Sequence, residues 1–226
     1  MVNRTQTPRG ELVLRRVGDA HEVISNGTFL MDTRGGHSER LQVTAALGLH
    51  PQPRSLLIGG LGVGFSLLAA TGVGAGTQHL QRIDVVEIEP VLLDWHHKHL
   101  AHLTREALAD PRVRVVVSDV GEHLITTARD GDRYDVIALD VDNGPDWTVT
   151  ERNTGIYDST GVSRITAALA PAGVLSVWSA APSPAFEAVL RRQFADIRRI
   201  DVPVATPRAR PDVVYLARRA LQLRSA

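Results

Sequence analysis

The sequence predicts an α/β fold: a mostly parallel seven-stranded sheet covered by helices on both faces, closed by a C-terminal antiparallel pair and preceded by a small β-meander. Three observations carry this. From Ser55 onward, apolar runs of strand length alternate with segments of helix length, the pattern of a parallel sheet buried on both sides. The last two β-prone runs, Ile197–Val202 and Asp212–Ala217, have a Pro/Arg loop and no helix between them, so they pair antiparallel. The first 33 residues carry short β-prone runs separated by turn dipeptides.

In chain order, Glu11–Arg15, Glu22–Ile24 and Thr28–Met31 form the meander, with Gly18 and Asn26-Gly27 at its turns. Ser38 caps a helix running to about Leu47, and His50-Pro-Gln-Pro53 punctuates the chain after it. Residues 1–50 are thus expected to be a small β element with a linking helix, and 51–226 the main domain. The predicted strands of the main sheet are Ser55–Gly59, Arg82–Glu87, Arg112–Val117, Tyr134–Asp140 and Gly173–Trp178. Helices are expected near Gly64–Thr71, Pro90–Leu108, Val120–Ala128, Asp158–Leu169 and Pro184–Phe194. A second glycine run, Gly72–Gly76, follows no strand and reads as a helix end and loop.

Composition narrows the function classes. The 226 residues can bury one sizeable core, and 25 basic residues balance 25 acidic ones, so no bulk charge draws the chain to nucleic acid or to an anionic membrane. The absence of cysteine excludes disulfides, thiolate metal sites and cysteine nucleophiles, and fits a cytoplasmic location. The N-terminus has no apolar run of the secretory kind, and no apolar stretch is long enough to span a bilayer.

Four strand tips carry the chemistry. The first strand enters the turn Leu57-Ile-Gly-Gly-Leu-Gly-Val-Gly-Phe65, where Gly59, Gly60, Gly62 and Gly64 let backbone approach a ligand and a helix N-terminus follows. The second ends in Val85-Val-Glu-Ile-Glu-Pro90. An acid about 20 residues beyond a glycine turn sits where a ribose diol lies. Glu87 and Glu89 share a side; Glu87 is preferred because Glu89-Pro90 begins the next helix. The third ends in Ser118-Asp-Val120: Asp119, with Val120 beside it, is placed to meet an adenine amino group and also to cap a helix. The fourth delivers Asp140 to the mouth of the sheet, with Asp142, Asp146 and Trp147 in the loop that follows. Trp147 could stack on a cationic acceptor, whereas Trp178 reads as packing.

The order of glycine turn, Val-Glu-Ile-Glu, Ser-Asp-Val and Leu-Asp-x-Asp-x-Gly-Pro resembles the spermidine synthase family, within the Rossmann-like class I S-adenosylmethionine-dependent methyltransferase fold. The resemblance implies that Gly59 to Gly64 pass under a thioether nucleoside, Glu87 holds the ribose and Asp119 the adenine. It implies that Asp140 helps deprotonate an attacking amine, and that Tyr157 falls near a tyrosine following the catalytic loop. Its co-substrate would be S-adenosylmethionine or decarboxylated S-adenosylmethionine, its acceptor a small amine, and family members tend toward homodimers. Gly62 stands where the family's turn carries an aspartate for the donor's aminopropyl end, and His37-Ser38-Glu39 replaces a Tyr-His-Glu type motif.

The mechanism expected on this resemblance is in-line displacement at a sulfonium. It needs alignment of the acceptor and a base, Asp140, with Asp142 and Glu39 binding the far cationic end of a diamine. Aminopropyl transfer is the first expectation, methyl transfer from S-adenosylmethionine to a small molecule the alternative, and a non-catalytic nucleoside-binding homologue the third. The turn is not a clean G-x-G-x-x-G, which argues against a dehydrogenase. His96, His99 and His102 with Glu106 could in principle ligate a metal, but they read as a solvated face of one helix. Asp140, Asp142 and Asn143 could hold Mg²⁺; no metal is expected.

Overall fold

The computed structural model describes residues 1–74, 76–148, 153–204 and 210–220. The strands are β1 (Asn3–Thr7), β2 (Gly10–Val17), β3 (Ala20–Ser25), β4 (Thr28–Asp32), β5 (Ser55–Gly59), β6 (Arg82–Glu87), β7 (Val113–Val117), β8 (Tyr134–Leu139), β9 (Leu169–Ser179), β10 (Asp196–Val202) and β11 (Asp212–Arg218). The helices are α1 (His37–Leu49), α2 (Phe65–Thr71), α3 (Pro90–Lys98), α4 (Ala101–Leu108), α5 (Val120–Arg129), α6 (Thr154–Tyr157), α7 (Ser159–Ala168) and α8 (Pro184–Gln193).

Strands β1 to β4 form an antiparallel meander in sequence order, and the main sheet runs β10-β11-β9-β8-β5-β6-β7. Pairings among β9, β8, β5, β6 and β7 are parallel, and β11 lies antiparallel to both β9 and β10. The fold class read from the sequence is the one observed. The chain steps outward from β5 through β6 to β7, then returns to place β8 on the other side of β5. A crevice therefore opens beyond the carboxyl ends of β5 and β8, where strand order reverses.

One core cluster joins α5, α7 and α8 to the sheet through Leu124, Ile165, Leu190, Ile137 and Tyr215. A second joins α1 and α2 to the opposite face through Val43, Leu47, Leu67, Ile58 and Val136. A third lies under the meander, where Leu14 and Val23 meet Phe65, Trp95 and Leu100. Buried apolar area of this kind supplies most of the drive to fold.

Local chemistry explains the element starts. Asp119 caps α5 by accepting from the Glu122 N–H at 3.1 Å, and Ser183 caps α8 by accepting from the Phe186 N–H at 3.2 Å. Asn26 and Gly27 take φ of 49° and 79°, the left-handed pair a tight hairpin demands.

Three expectations change. The sequence gives no sign of β1, because Asn-Arg-Thr-Gln-Thr has no apolar face; it is a strand because it pairs with β2 from Asn3↔Leu14 to Thr7↔Gly10. The single helix expected over Pro90–Leu108 is two: the N–H groups of His99 and Leu100 both turn back to the Trp95 carbonyl, and Leu100 drops into the core under the meander. Ser38 is not the cap of α1. Gly36 occupies that position, and Ser38 lies inside the helix, buried.

Candidate active site

Strand register places the four tips within one residue of a common level. Gly59 pairs with Val86 on one side and Leu139 on the other, and Glu87 pairs with Val117. Gly60 and Asp140 therefore leave the sheet at the level of Glu87 and Val117, and β6 and β7 run one residue further before Ile88 and Ser118 leave it. The four residues open a cavity of about 1100 Å³. Gly60, Gly62, Gly64, Glu87, Asp119 and Val120 line one half, and Glu39, Asp140, Asp142 and Trp147 the other. Gly59 and Tyr157 are not among its lining residues: Gly59 is packed against Leu139 and Val120, and Tyr157 is buried in the core behind the site.

The glycine turn is held closely. Gly60, Gly62 and Gly64 have φ of 95°, 54° and 97°, which side-chain-bearing residues rarely adopt. A Cβ on Gly60 would run into the Asp140 carbonyl, and the space beside Gly62 holds the Met31 sulfur, 3.0 Å from where a Cβ would stand. The Gly60 N–H donates to the Val86 carbonyl at 2.8 Å, and the Asp140 N–H donates to the Gly59 carbonyl at 2.9 Å.

Glu87 is buried, and burial raises its pKa. Backbone donors counter part of this: the N–H groups of Leu61 and Glu89 reach its two oxygens at 2.9 and 2.8 Å. Glu89 also lines the cavity, but Arg9 grips it at 2.5 Å and Thr7 at 3.1 Å. Arg9 also donates to the Ile88 carbonyl at 2.9 Å. The meander is thereby strapped to the tip of β6. Asp119 combines its capping bond with a place in the cavity wall.

The other half concentrates negative charge. Asp140 lies well above the usual carboxylate range, first through burial, then through the neighbouring charges of Glu39, Asp212 and Asp142. The Ser38 hydroxyl lies between Glu39 at 2.8 Å and Asp212 at 3.0 Å, and having one proton it donates to only one of them at a time. Behind them, burial and the charges of Asp142 and Asp140 drive the Tyr157 hydroxyl strongly upward. Trp147 is 57% exposed at the rim, while Trp178 is nearly buried at the end of β9.

Sequence reasoning missed Asp212, Ser38, Arg9 and Met31. Asp212 reaches the mouth because β11 is antiparallel, so its first residue lies at the edge where the parallel strands end. The reading of the histidines as one solvated helix face also fails for His96, which is 1% exposed. Its Nε2 lies 2.9 Å from the Gly62 carbonyl and its Nδ1 2.8 Å from the Thr104 hydroxyl. The spacing Leu92, Trp95, His96 was a usable signal, since it continues the apolar stripe of α3.

A sheet of this order, with a glycine turn and carboxylates at successive tips, defines the class I methyltransferase fold. The fold matches human Methyltransferase-like protein 13 in complex with SAH, with a TM-score of 0.62 over 85% of this chain and 86% of that one at 19% identity. It matches spermidine synthase from Thermotoga maritima more closely, with a TM-score of 0.76 over 97% of this chain and 72% of that one at 15% identity. A spermidine synthase in complex with the transition state analogue AdoDATO gives 0.75 over the same shares at 16% identity. At these identities the likeness is one of fold. The sequence itself goes further: the Spermine/spermidine synthase domain profile matches residues 39–193, and the chain belongs to that family. A polyamine aminopropyltransferase of Pyrobaculum calidifontis is 32% identical over 99 residues, 44% of this chain and 33% of the relative. Putrescine N-methyltransferase 3 of Nicotiana tabacum is 35% identical over 94 residues, 42% of this chain and 23% of the relative. The matched stretch thus spans a third or less of these relatives' length.

Proposed function

We propose that this chain transfers an aminopropyl group from decarboxylated S-adenosylmethionine to a small amine. One observation carries the choice of donor and acceptor. Among the described residues, eight carboxyl side chains and two arginines line the cavity. Both arginines are already committed, Arg9 to Glu89 and Arg34 to Asp32 and Glu22. Such a site favours a donor that has lost its carboxylate and an acceptor that is cationic. The polyamine aminopropyltransferase relative and the AdoDATO-bound neighbour support the same reading.

In this mechanism the nucleoside lies over the glycine turn, with Glu87 at the ribose and Asp119 and Val120 at the adenine. The sulfonium is a good leaving group, so no covalent enzyme intermediate is needed. The amine nitrogen attacks the methylene next to sulfur, the C–S bond breaks and its electron pair stays on sulfur as a neutral thioether. The proton leaving the amine passes to Asp140, whose raised pKa suits it to hold a proton. Glu39, Asp142 and Asp212 surround the acceptor's charge, and Trp147 can cover it from the rim.

Methyl transfer from S-adenosylmethionine is the second reading. Gly62 contributes no carboxylate to the donor's tail and has Met31 beside it, and the Nicotiana relative is a putrescine N-methyltransferase. The two readings separate by mass. The protein is incubated with each donor and a mixed pool of amines; the first reading expects an aminopropyl increment with the decarboxylated donor, and a methyl increment with S-adenosylmethionine alone would replace it.

A further inference from the structure

We infer that His96 is a positioning residue that holds the glycine turn in its ligand-ready shape. The inference rests on the donor site proposed above but concerns a side chain outside it. The turn carries three residues at positive φ, so its own backbone preferences fix it weakly, and glycine has the most conformational freedom to lose. Ties from its neighbours must define it. The Leu61 N–H is held by Glu87, and the Gly60 N–H by the Val86 carbonyl. On the far side of the turn, His96 meets the Gly62 carbonyl at 2.9 Å.

The partners dictate the tautomer. A carbonyl only accepts, so Nε2 carries the proton and donates to Gly62. In the neutral ring Nδ1 then accepts, and the Thr104 hydroxyl donates to it across 2.8 Å. Thr104 is itself fully buried in α4, so the ring is clamped between the two helices and the turn. Burial favours this neutral form. The fit is close on both sides: a Cβ on Gly64 would lie 2.5 Å from the Thr104 methyl and 3.3 Å from the His96 ring. Glycine at 64 and histidine at 96 are thus one packing unit. It links the turn to α3, the helix that begins just after Glu87 and Glu89. A movement of α3 would shift the turn and the ribose acid together.

The test compares the full chain with His96→Leu, His96→Gln and Thr104→Val, using 5′-methylthioadenosine as the binding probe. Hydrogen exchange of the peptide spanning residues 59–65 is followed without ligand. Leucine removes the bond to Gly62; glutamine can restore a donor near the Nε2 position. We expect His96→Leu to weaken probe binding about tenfold, the scale of one lost hydrogen bond to a buried group. Exchange of the turn should quicken in the same variant. His96→Gln should recover most of both effects, and Thr104→Val should fall between. In turnover, the donor KM should rise more than kcat falls. If His96→Leu leaves turn exchange and probe affinity at the wild-type level, or if glutamine fails to rescue while both variants melt as wild type does, the inference is wrong. Failure of the wild-type chain itself to bind the probe would instead overturn the proposed function, and the exchange arm would still decide the role of His96.

Discussion

Glu87 and Asp140 stand at the tips of strands flanking β5, and burial raises the pKa of both. Their surroundings are opposite. Glu87 is met by two backbone N–H groups at 2.9 and 2.8 Å, so its charge is stabilised before any ligand arrives. Asp140 is met by the charges of Glu39, Asp212 and Asp142. One half of the cavity is organised in advance; the other stores a repulsion that a cation relieves. On the function proposed above, the preorganised half would hold the constant part of the donor and the repelling half the charged amine.

The largest effect is expected from removing the acid at the centre of the repulsion. Asp140→Asn is expected to lower kcat by about 10²–10⁴-fold, the usual worth of a general base, with little change in binding of 5′-methylthioadenosine. Equal loss of both would mean that Asp140 belongs to the donor half. Gly60→Ala should come next. Its Cβ meets the Asp140 carbonyl and its φ of 95° is strained for alanine, so stability should fall by more than ~1 kcal/mol in a denaturant titration. It should also damage both halves at once, because that residue is where they touch.

A subtler test is electrostatic. Asp140 binds its proton more tightly folded than unfolded, so the folded state holds more protons between the two pKa values. Stability of the ligand-free protein should therefore fall as pH rises through that window. Asp212→Asn removes one repelling charge. It should move the rising limb of the pH–rate profile to lower pH while leaving the plateau near its original height, and an unmoved limb would detach Asp212 from the pair. The smallest effect is expected for Arg9→Ala. It leaves Glu89 with Thr7 as its remaining partner and does not touch Glu87, and should raise the donor KM only severalfold, as loss of one partly exposed ion pair does.

Much of the donor half could be read along the chain because each part is local: an apolar strand, then glycine or acid at its tip, then a helix start. The acceptor half could be read only in part. Asp140 and Asp142 follow directly from their strand, but Asp212 enters from a strand 72 residues further on, and Ser38 joins it across a sequence separation of 174. Met31 and Arg9 reach the cavity only because the meander folds over it. His96 finds its partners only in the fold, the Gly62 carbonyl in the turn and the Thr104 hydroxyl on α4. The turn beside it has no side chain at Gly64, which leaves room for the buried ring and the Thr104 methyl.

The layered α/β fold, the strand tips and their glycine and acid residues are all legible along the chain, since period and composition act over a few neighbours at a time. The tertiary structure alone decided which distant charges gather around Asp140, which glycines admit a neighbour's side chain, and where a buried histidine finds its carbonyl. Those outcomes depend on register between strands far apart in the chain, and no local pattern encodes that register.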